Sequence, residues 1–434
     1  MSAQDNGPKI KLGVVDMDGV LRGKYISREK FDAAAKGGLG FCDVIFGWDL
    51  ADVLYDNVRY TGWHTGYPDA HARIDLATKR HIPWEPNTDL YLLDMVKADG
   101  APIELAPRNV LKRLIEQAHG AGFEPYFAAE YEFWLFDETA HSLQEKGFRK
   151  LKNLTPGMFG YSVVRASSQT VLVHDLIDQL REFDCELEGF HTETGPGVYE
   201  AAIAVDKALA AADKAALFKT AVKEIAQRHG LSVTFMAKWN AALPGSSGHL
   251  HQSLWAGGRN VFAGDASLMP AYIAGLAEHM PAMMALYCPT VNSYKRTVPG
   301  TWAPVNATWG VDTRTAAIRA LPGGAKSSRV ELRLTGADIN PYLAMAAALA
   351  SGLDGVARGL VPPAPVTNAY DAAGAPALPR DLAEAARALG ASAFARSALG
   401  AEFVEHYVAT RDWEWRQYSK AVTDWELQRY FEAI

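Results

Sequence analysis

The sequence predicts an α+β fold in which a small, strand-rich N-terminal domain precedes one larger α+β domain. Residues 10–95 consist of short apolar runs broken by Gly and Asp, a pattern that is typical of strands and turns. Beyond residue 101, stretches with helical spacing of apolar residues are interspersed with stretches that alternate polar and apolar residues, as strands do. The 434 residues suffice for two or three domains of roughly 150 residues each. We therefore expect one domain over residues 1–100 and a second over residues 101–434.

Four helices are predicted in the larger domain, over residues 109–119, 207–229, 342–353 and 382–389. Asn340 and Pro341 suit the N-cap and the first turn of the third helix, which is apolar enough to be buried. Residues 362–379 are rich in Pro, Ala and Gly, so we expect a surface excursion there.

Composition and charge narrow the classes of partner. The formal net charge is −7, so neither a nucleic acid nor an anionic membrane is the expected partner. Three cysteines, Cys42, Cys185 and Cys288, lie far apart without metal-ligand spacing, which favours free thiols in a reducing compartment. The N terminus lacks an apolar signal stretch, and the longest apolar run is shorter than the roughly 20 residues of a membrane span. We therefore expect a soluble, cytoplasmic protein.

Residues 127–137 form a predicted strand with two carboxylates on one face. Glu130 and Glu132 project together because successive side chains alternate across a strand, while aromatic and aliphatic residues fill the other face. Carboxylates that are buried side by side are costly unless cations or hydrogen-bond donors compensate them. The pair therefore indicates either a cation site or a solvated outer face.

Two further predicted strands, over residues 248–254 and 328–334, and one tight Gly-Pro-Gly turn repeat this grouping of polar side chains. A His-x-His pair alone is weak evidence, since more such pairs are structural than metal-binding. Carboxylates and a histidine without a cysteine nevertheless suit Mg²⁺ or Mn²⁺ better than structural zinc. The polar residues that share a strand face or flank the turn are His249, His251 and Ser253; Arg329, Glu331 and Arg333; and Glu193 and Glu200.

Residues 295–333 are strongly basic, with Asp312 and Glu331 as the only acids. Arginine forks match phosphate oxygens, so arginines beside a metal–carboxylate site indicate a phosphorylated substrate, although a solvated basic face has the same composition. Metal carboxylates with converging arginines are typical of phosphoryl transfer, in which positioning and charge neutralisation supply most of the catalysis.

In this order, the stretches resemble glutamine synthetases and their γ-glutamyl-amide-forming relatives. The resemblance extends from Gly13 to Tyr430, which is almost the whole chain. No single motif identifies the family, but the motifs together do, because chance agreement across all of them is negligible. They are Glu130-x-Glu132, Glu193-x-Gly-Pro-Gly-x-x-Glu200, His249-x-His251-x-Ser253, Asn292-Ser293-Tyr294-Lys295-Arg296, Thr313-Arg314-Thr315-Ala316 and Arg329-x-Glu331-x-Arg333.

The resemblance implies a β-grasp-like N-terminal domain and a catalytic domain built on an antiparallel sheet with flanking helices. It implies an ATP-dependent ligase with Mg²⁺ or Mn²⁺, in which ATP phosphorylates the γ-carboxylate of L-glutamate and an amine attacks the acyl phosphate. It also implies a ring-shaped oligomer, a hexamer or dodecamer, with each site formed between subunits.

The same resemblance assigns metal and nucleotide roles. One metal ion would hold the substrate carboxylate and the transferring phosphate, and a second would bridge the nucleotide phosphates. The ligands implied for the first are Glu132, Glu193 and Glu200; for the second they are Glu130, His249 and Glu331; and the nucleotide contacts are His251, Ser253 and Arg319.

The resemblance also implies roles for residues that contact the glutamate substrate and the transferring phosphate. Arg296 resembles the arginine that holds the α-carboxylate of glutamate, with the backbone of Gly245 nearby. Arg314 and Arg319 resemble the pair that neutralises the γ-phosphate during transfer. Arg333 resembles a further clamp on the substrate or the acyl phosphate.

The acceptor side departs from the pattern of the ammonia-using members. Their flap carries a glutamate that deprotonates the amine, whereas the flap here, residues 299–304, has Trp302 at that position. Asp49 resembles the aspartate that reaches a neighbouring subunit's site and accepts a proton, and Asp52 follows it in place of a serine-rich stretch. We therefore expect an organic primary amine as acceptor; the alternative is ammonia, with Asp49, Asp52 or Glu193 as the base.

Two rival interpretations remain. Residues 13–21 mimic the nucleophile strand of haloacid-dehalogenase-type phosphatases, with Asp16 as the nucleophile, but no downstream pair of aspartates supports it. A non-catalytic structural relative is the second rival, and the complete set of metal-type ligands argues against it. Tyr370 lies in an Asn-Ala-Tyr-Asp sequence similar to the adenylylated loop of some bacterial glutamine synthetases, but its surroundings differ, so no such regulation is inferred.

Overall fold

The computed structural model describes residues 7–265, 267–372 and 374–434. The strands of its N-terminal sheet are β1 (Lys9–Val15), β2 (Leu21–Ile26), β3 (Leu39–Cys42), β4 (Asp69–His81) and β5 (Thr88–Val96). They lie in the order β2-β1-β5-β4-β3. The central pair, β1 and β5, is parallel, and its neighbours pair in antiparallel fashion.

The strands of a second, larger sheet are β6 (Glu124–Phe136), β7 (Leu187–Thr192), β8 (Val198–Ile203), β9 (Asp206–Lys207), β10 (Ser232–Thr234), β11 (Gly248–Ala256), β12 (Arg259–Asn260), β13 (Trp309–Val311), β14 (Ile318–Leu321) and β15 (Arg329–Leu332). The main path is β13-β14-β15-β11-β6-β8-β7. In the described part of the chain, β13–β14 is the only parallel pair of this sheet. The predicted α+β fold with a largely antiparallel sheet is therefore confirmed.

The helices are α1 (Arg28–Gly37), α2 (Pro107–Gly120), α3 (Ala140–Glu145), α4 (Val163–Ser167), α5 (Thr170–Glu182), α6 (Ala208–Arg228), α7 (Val261–Gly264), α8 (Leu268–Tyr287), α9 (Pro341–Arg358), α10 (Leu382–Ala391), α11 (Ala393–Leu399), α12 (Ala401–Lys420) and α13 (Asp424–Tyr430). The four predicted helices correspond to α2, α6, α9 and α10. Among the described residues, no helix is both long and apolar enough to cross a membrane.

Strand β6 turns an apolar face to the core and a charged face away from it. Tyr131 and Phe133 are fully buried, and the ring of Phe218 on α6 lies with its centroid 6.0 Å from each of theirs. Because side chains alternate along a strand, Glu130 and Glu132 project from the opposite face. The packing of α6 thus fixes which side of the sheet carries the carboxylates.

Helix α9 connects the two parts of the fold. The side chain of Asn340 caps it by accepting the backbone N–H groups of Tyr342 and Leu343, as predicted from the Asn-Pro pair. The same amide donates to the carbonyl oxygen of Asp16 at 2.9 Å, which attaches the β1–β2 turn to the helix. The domain boundary that we propose near residue 100 falls between β5 and α2.

One predicted strand is shorter than expected. The strand predicted over residues 328–334 extends only from Arg329 to Leu332, and just beyond it the backbone N–H of Arg333 donates to the carbonyl oxygen of Ala317. The Arg333 side chain still faces Glu331, since its Nη1 donates to the Glu331 carboxylate. The polar grouping on this face therefore survives the earlier strand end.

Candidate active site

The antiparallel registers of the large sheet bring its charged side chains together. Glu130 on β6 lies opposite His249 on β11, and His251 on β11 lies opposite Glu331 on β15. On the other side of β6, Glu132 lies opposite Glu200 on β8 (register β6–β8). Residues that are distant in sequence therefore form one continuous polar surface.

His249 occupies the centre of this surface. Its Nδ1 lies 3.1 Å from Oε1 of Glu130 and 3.4 Å from Oε1 of Glu331. Burial lowers the pKa of His249, and the nearby Arg333 adds to that effect, so the imidazole is neutral at neutral pH, the form that can bind a metal ion. Burial opposes the ionisation of Glu331, but the charge of His249, which is protonated only in acid, and the charge of Arg333 outweigh it and lower the pKa of this carboxyl to about 2.

A second group lies beside the first and includes a histidine that the sequence did not single out. Nε2 of His191 is 3.1 Å from Oε1 of Glu193 and 3.3 Å from Oε1 of Glu200. His191 lies two residues before Glu193 at the end of β7, so strand alternation was a signal that could have predicted its position. The ring of Tyr161 stacks on the imidazole with centroids 4.3 Å apart.

The negative charges of the carboxylates on this surface favour the binding of a cation. Burial, followed by the charges of Glu130, Glu132 and Glu193, raises the pKa of Glu200 to about 10. Burial also raises the pKa of Glu132, whose Oε2 accepts the backbone N–H of Ser247 at 2.7 Å. The repulsion among these carboxylates is what a bound divalent ion would relieve.

The donor set fits Mg²⁺ or Mn²⁺. In three groups on this surface, one ligand atom from each residue lies within 4.8 Å of the others, and the donors are carboxylate oxygens and imidazole nitrogens. Glu132 is in none of these groups among the described residues, although it neighbours Glu200 in register. The groups are Glu130, His251 and Glu331; Glu130, Glu200 and His249; and His191, Glu193 and Glu200.

Arginines line the β14–β15 edge of the surface. Arg319 on β14 donates from Nη1 to Oε2 of Glu331 at 2.8 Å and from Nη2 to Oδ1 of Asp312 at 2.5 Å. Nε of Arg333 donates to the backbone carbonyl oxygen of Arg314 at 3.2 Å. The Arg314 side chain itself is exposed on the loop between β13 and β14. The structure therefore brings all three arginines to the edge that carries Glu331.

Arg296 and Gly245 lie in direct contact. A Cβ atom at Gly245 would lie 2.5 Å from Cγ of Arg296 and 2.6 Å from the carbonyl oxygen of Ala237, so only glycine leaves room for the arginine stem. Arg296 is 5% exposed, and its Nη2 donates to the carbonyl oxygen of Thr335 at 3.0 Å. Its Nε has no hydrogen-bond partner in the described part of the chain. A buried free donor is costly, and a carboxylate of a substrate could satisfy it.

A cavity of about 420 Å³ lies where β6 begins and β11 ends, and its lining includes Tyr126, Lys207 and Trp255. Ser253 lies opposite Tyr126 in the strand register, and its hydroxyl accepts Nε1–H of Trp255 at 3.0 Å. The motifs in the sequence do not include Tyr126 or Trp255. Tyr126 precedes Glu130 by four residues on β6, and Trp255 follows Ser253 by two residues on β11. The alternation of side chains along a strand was therefore again the signal that could have predicted them.

Asp49 and Asp52 lie in a different part of the chain's surface. Oδ1 of Asp49 accepts the backbone N–H groups of Ala51 and Val53 at 2.8 and 3.0 Å, and Oδ2 accepts Nε1–H of Trp413 at 2.9 Å. Asp52 pairs with Nη1 of Arg22 at 2.8 Å. Among the described residues, neither aspartate forms a hydrogen bond or ion pair with the carboxylate surface.

Trp302 projects from the flap into solvent. It is 67% exposed, and its φ of +60° lies in the left-handed region, which bulky residues rarely adopt. Gly300, earlier in the flap, has a φ of +79°. The flap therefore presents an indole on a backbone turn that the surrounding structure must hold in place.

The phosphatase-like motif has a structural role in this fold. Oδ1 of Asp16 accepts the backbone N–H groups of Asp18 and Val20, and Oδ2 accepts Nε–H of Arg22 at 2.8 Å. Asp18 pairs with the buried Arg411 at 2.5 Å. The Asp16 carboxylate thus closes the β1–β2 turn, and the Asp18 carboxylate attaches this turn to α12. Both are engaged, which argues against their use as nucleophile and acid.

Known proteins resemble this chain along almost its whole length. A family model described as glutamine synthetase, catalytic domain, matches residues 104–430. Type-1 glutamine synthetase 2 of Dictyostelium discoideum is 46% identical over 428 residues, covering 96% of this chain and 82% of that protein. Glutamate–isopropylamine ligase of Pseudomonas sp. is 40% identical over 426 residues, covering 95% and 92%. Gamma-glutamylethanolamide synthetase GlnA4 of Streptomyces coelicolor is 37% identical over 429 residues, covering 98% and 92%.

A solved structure supports the same relationship. A GmaS/ADP complex superposes with a TM-score of 0.85 at 28% sequence identity, covering 99% of this chain and 97% of that one. The predicted resemblance is thus confirmed, because the family match spans the strands that carry the carboxylates, the histidines and the arginines. The chain belongs to the glutamine synthetase family and is a ligase of that family.

Proposed function

We propose that this ligase joins the γ-carboxyl group of L-glutamate to an organic primary amine in an ATP-dependent reaction. The observation that carries the proposal is Trp302, which stands on the flap where ammonia-using members have a carboxylate base. The names of two relatives, glutamate–isopropylamine ligase and gamma-glutamylethanolamide synthetase, support an organic acceptor.

The carboxylate surface would hold two divalent ions. Glu132, Glu193 and Glu200 are proposed for the ion at the substrate end, and Glu130, His249 and Glu331 for the ion at the nucleotide end. When bound, Mg²⁺ or Mn²⁺ supplies charge neutralisation for the phosphates. His191, wedged between Glu193 and Glu200, is positioned either to join the first set or to orient its carboxylates.

The nucleotide would lie along β11, from the carboxylates toward the cavity at the strand ends. His251 and Ser253 are proposed to contact ATP there. Tyr126 and Trp255 have ring centroids 5.1 Å apart beside the 420 Å³ cavity, and aromatic walls of this kind suit a nucleobase. Lys207 adds a positive charge at the same cavity.

Phosphoryl transfer would take place at the arginine edge. A γ-carboxylate oxygen of glutamate attacks the terminal phosphorus of ATP, the bond to ADP breaks, and γ-glutamyl phosphate forms. Arg314 and Arg319 are proposed to neutralise the phosphate during this step, with Arg333 as a further clamp. Arg296 is proposed to hold the α-carboxylate of glutamate through its unpaired Nε, next to the backbone of Gly245.

In the second step the amine nitrogen attacks the acyl carbon, phosphate leaves, and the nitrogen loses a proton to a carboxylate. An indole cannot accept that proton, so the base is proposed to be Asp49 of a neighbouring subunit, assisted by Asp52, or Glu193 of the same subunit. The face of Trp302 can attract an alkylammonium group by about 0.5–2 kcal/mol. Assembly into a ring of six or twelve subunits is part of this proposal, because within the described part of its own chain no hydrogen bond or ion pair joins Asp49 to the carboxylate surface.

Ammonia is the second candidate acceptor. The observation that favours it is the 46% identity to a protein named type-1 glutamine synthetase 2. Both candidates share the acyl phosphate step and differ only in what enters beneath the flap.

A panel of acceptors tests the proposal. Ammonium, methylamine, ethylamine, ethanolamine and putrescine are each supplied with ATP, Mg²⁺ and L-glutamate, and phosphate release and product mass are followed. We expect kcat/KM to be higher for at least one organic amine than for ammonium. Ammonium as the best acceptor would assign the chain to plain glutamine synthesis.

A further inference from the structure

Residues 367–371, which we term the strap, connect the base of the flap to the loop that carries Arg314. The backbone N–H of Ala369 donates to Oγ1 of Thr315 at 2.9 Å, and its carbonyl oxygen accepts Nδ2–H of Asn306 at 2.8 Å. The hydroxyl of Thr313 donates to the carbonyl oxygen of Thr367 at 3.0 Å. The strap is therefore anchored on both sides by specific hydrogen bonds, although its composition predicted a surface excursion.

The strap also reaches the flap itself. The hydroxyl of Tyr370 donates to the carbonyl oxygen of Ala303 at 3.0 Å, and Tyr370 is half-buried. Ala303 directly follows Trp302, whose left-handed backbone is unfavourable for a bulky residue. Tyr370 thus bonds the carbonyl group of the residue that directly follows the left-handed residue of the flap.

The strap is ordered independently of the flap. Oδ1 of Asn368 accepts the backbone N–H of Tyr370 at 3.2 Å, and its Nδ2 donates to Oδ2 of Asp371 at 2.7 Å. This capped turn, together with the anchors at Thr315 and Asn306, fixes the backbone of the strap that carries Tyr370 without using the flap. The Tyr370 hydroxyl is therefore a hydrogen-bond donor, on an anchored segment, that can hold the exposed and strained flap in one position.

We propose that Tyr370 is a positioning residue that holds the flap closed over the acceptor entrance through its hydrogen bond to Ala303. It touches no reacting atom; it keeps Trp302 in its left-handed conformation, with the indole at the entrance. The part of this inference that concerns acceptor binding rests on the proposed function. The part that concerns flap closure rests only on the contacts of Tyr370, Ala369 and Ala303.

Limited proteolysis tests flap closure without reference to activity. Chymotrypsin cuts after exposed aromatic residues, and cleavage of the Trp302–Ala303 bond is followed by mass spectrometry in the full chain. Tyr370→Phe should raise the rate of this cut about fivefold, the size expected for the loss of one neutral hydrogen bond. Thr315→Val, which removes an anchor of the strap, should raise it in the same direction.

Tyr430→Phe is the matched control, since it removes a hydroxyl from helix α13 and should leave the rate of the cut unchanged. Equal cleavage rates in the wild type and Tyr370→Phe would overturn the proposal. So would an increase that Tyr430→Phe reproduces, because the effect would then reflect general loosening of the fold.

Steady-state kinetics test the consequence for the acceptor. In Tyr370→Phe we expect KM for the preferred amine to rise several-fold while KM for ATP and for glutamate stays unchanged. We also expect faster glutamate-dependent ADP release without amine, because an open flap admits water to the acyl phosphate. A uniform fall of kcat with every KM unchanged would assign Tyr370 a purely structural role. If no amine is an acceptor, the proposed function fails, while the proteolysis result still decides flap closure.

Discussion

The guanidinium of Arg319 donates to the carboxylate of Glu331, with Nη1 2.8 Å from Oε2. Arg314 is exposed on its loop and is free to meet a phosphate. Removing Arg319 therefore takes one of two arginine partners from the buried Glu331, which keeps Arg333, and also removes a proposed phosphate contact. Removing Arg314 affects only the proposed phosphate contact. The two arginines should give different kinetic results.

We expect Arg314→Ala to lower kcat by about 10³ with small changes in KM, as for arginines that stabilise the transferring phosphate. Arg319→Ala should lower kcat and also shift the dependence of the rate on Mg²⁺ concentration, because Glu331, a proposed metal ligand, loses one of its two arginine partners. Steady-state kinetics with varied ATP, glutamate and Mg²⁺ measure both effects. Arg387→Ala, on the exposed side of α10, is the control. An Arg314 variant that changes only KM would show uniform substrate binding instead.

Divalent metal should be obligatory. Chelation with EDTA should abolish activity, and Glu132→Ala and Glu331→Ala should each lose it by orders of magnitude, because each removes a proposed ligand. Isothermal titration with Mn²⁺ measures the binding directly. Glu278→Gln is the matched control, since Glu278 belongs to a His–carboxylate group outside this surface that Arg358 already neutralises. Wild-type activity in Glu331→Ala would contradict the proposal that Glu331 is a metal ligand.

The sequence predicted the strands of this site better than their mutual arrangement. Alternation along β6 and β11 placed Glu130, Glu132 and the two histidines correctly, because side-chain direction in a strand is a local property. Alternation could also have placed His191 beside Glu193, but the contact of His191 with Glu200 depends on the β7–β8 register, which brings the two residues opposite each other. Pairing between strands joins residues that are far apart in the chain, so the spacing of residues in one sequence does not reveal which residues will lie opposite each other.

The strap shows a second limit of sequence patterns. A segment rich in Pro, Ala and Gly was expected to be a surface excursion, and most of it does lack regular structure. Its anchors to Asn306, Thr313 and Thr315 use the backbone groups of the strap. Because every residue carries such groups, composition gives no sign of which of them will bond to the rest of the protein.

Stability should decrease in mild acid because of His406. Burial lowers the pKa of this imidazole to about 4, from 6.5. The unfolded chain therefore binds the proton more strongly, and the free energy of unfolding falls as pH decreases from the unfolded pKa toward the folded one. At pH 5 the loss is about 2 kcal/mol.

Thermal unfolding near neutral pH and near pH 5 measures this effect. His406→Gln should narrow the difference in midpoint between the two conditions, although it lowers both midpoints through altered packing. His64→Gln, at an exposed histidine, should leave the difference unchanged. An equal acid-induced loss in His406→Gln and the wild type would assign the sensitivity to other groups.

Asp49 should complete the site of a neighbouring subunit. We expect Asp49→Ala and Glu132→Ala to be inactive separately and to regain part of the activity when their subunits are mixed under exchange conditions, since some sites then combine intact halves. Each variant exchanged with itself is the control, and native mass spectrometry verifies mixing. Continued inactivity of verified mixed rings would locate the whole site within one subunit.

Trp302 should determine which amine is preferred. An ammonia ligase must strip a proton from ammonium inside the closed site, and a flap carboxylate both attracts the cation and accepts its proton. An indole does neither, but its face attracts an alkylammonium group by about 0.5–2 kcal/mol, which corresponds to about 2- to 30-fold in kcat/KM. Trp302→Glu should therefore shift the ratio of kcat/KM for ammonium to that for ethylamine toward ammonium by at least that factor. Trp302→Phe, which keeps an aromatic face, should stay near the wild-type ratio. If Trp302→Glu and Trp302→Phe leave the same ratio as the wild type, the exposed indole serves contact with another subunit, and acceptor choice must then be sought at Asp52 and Glu193.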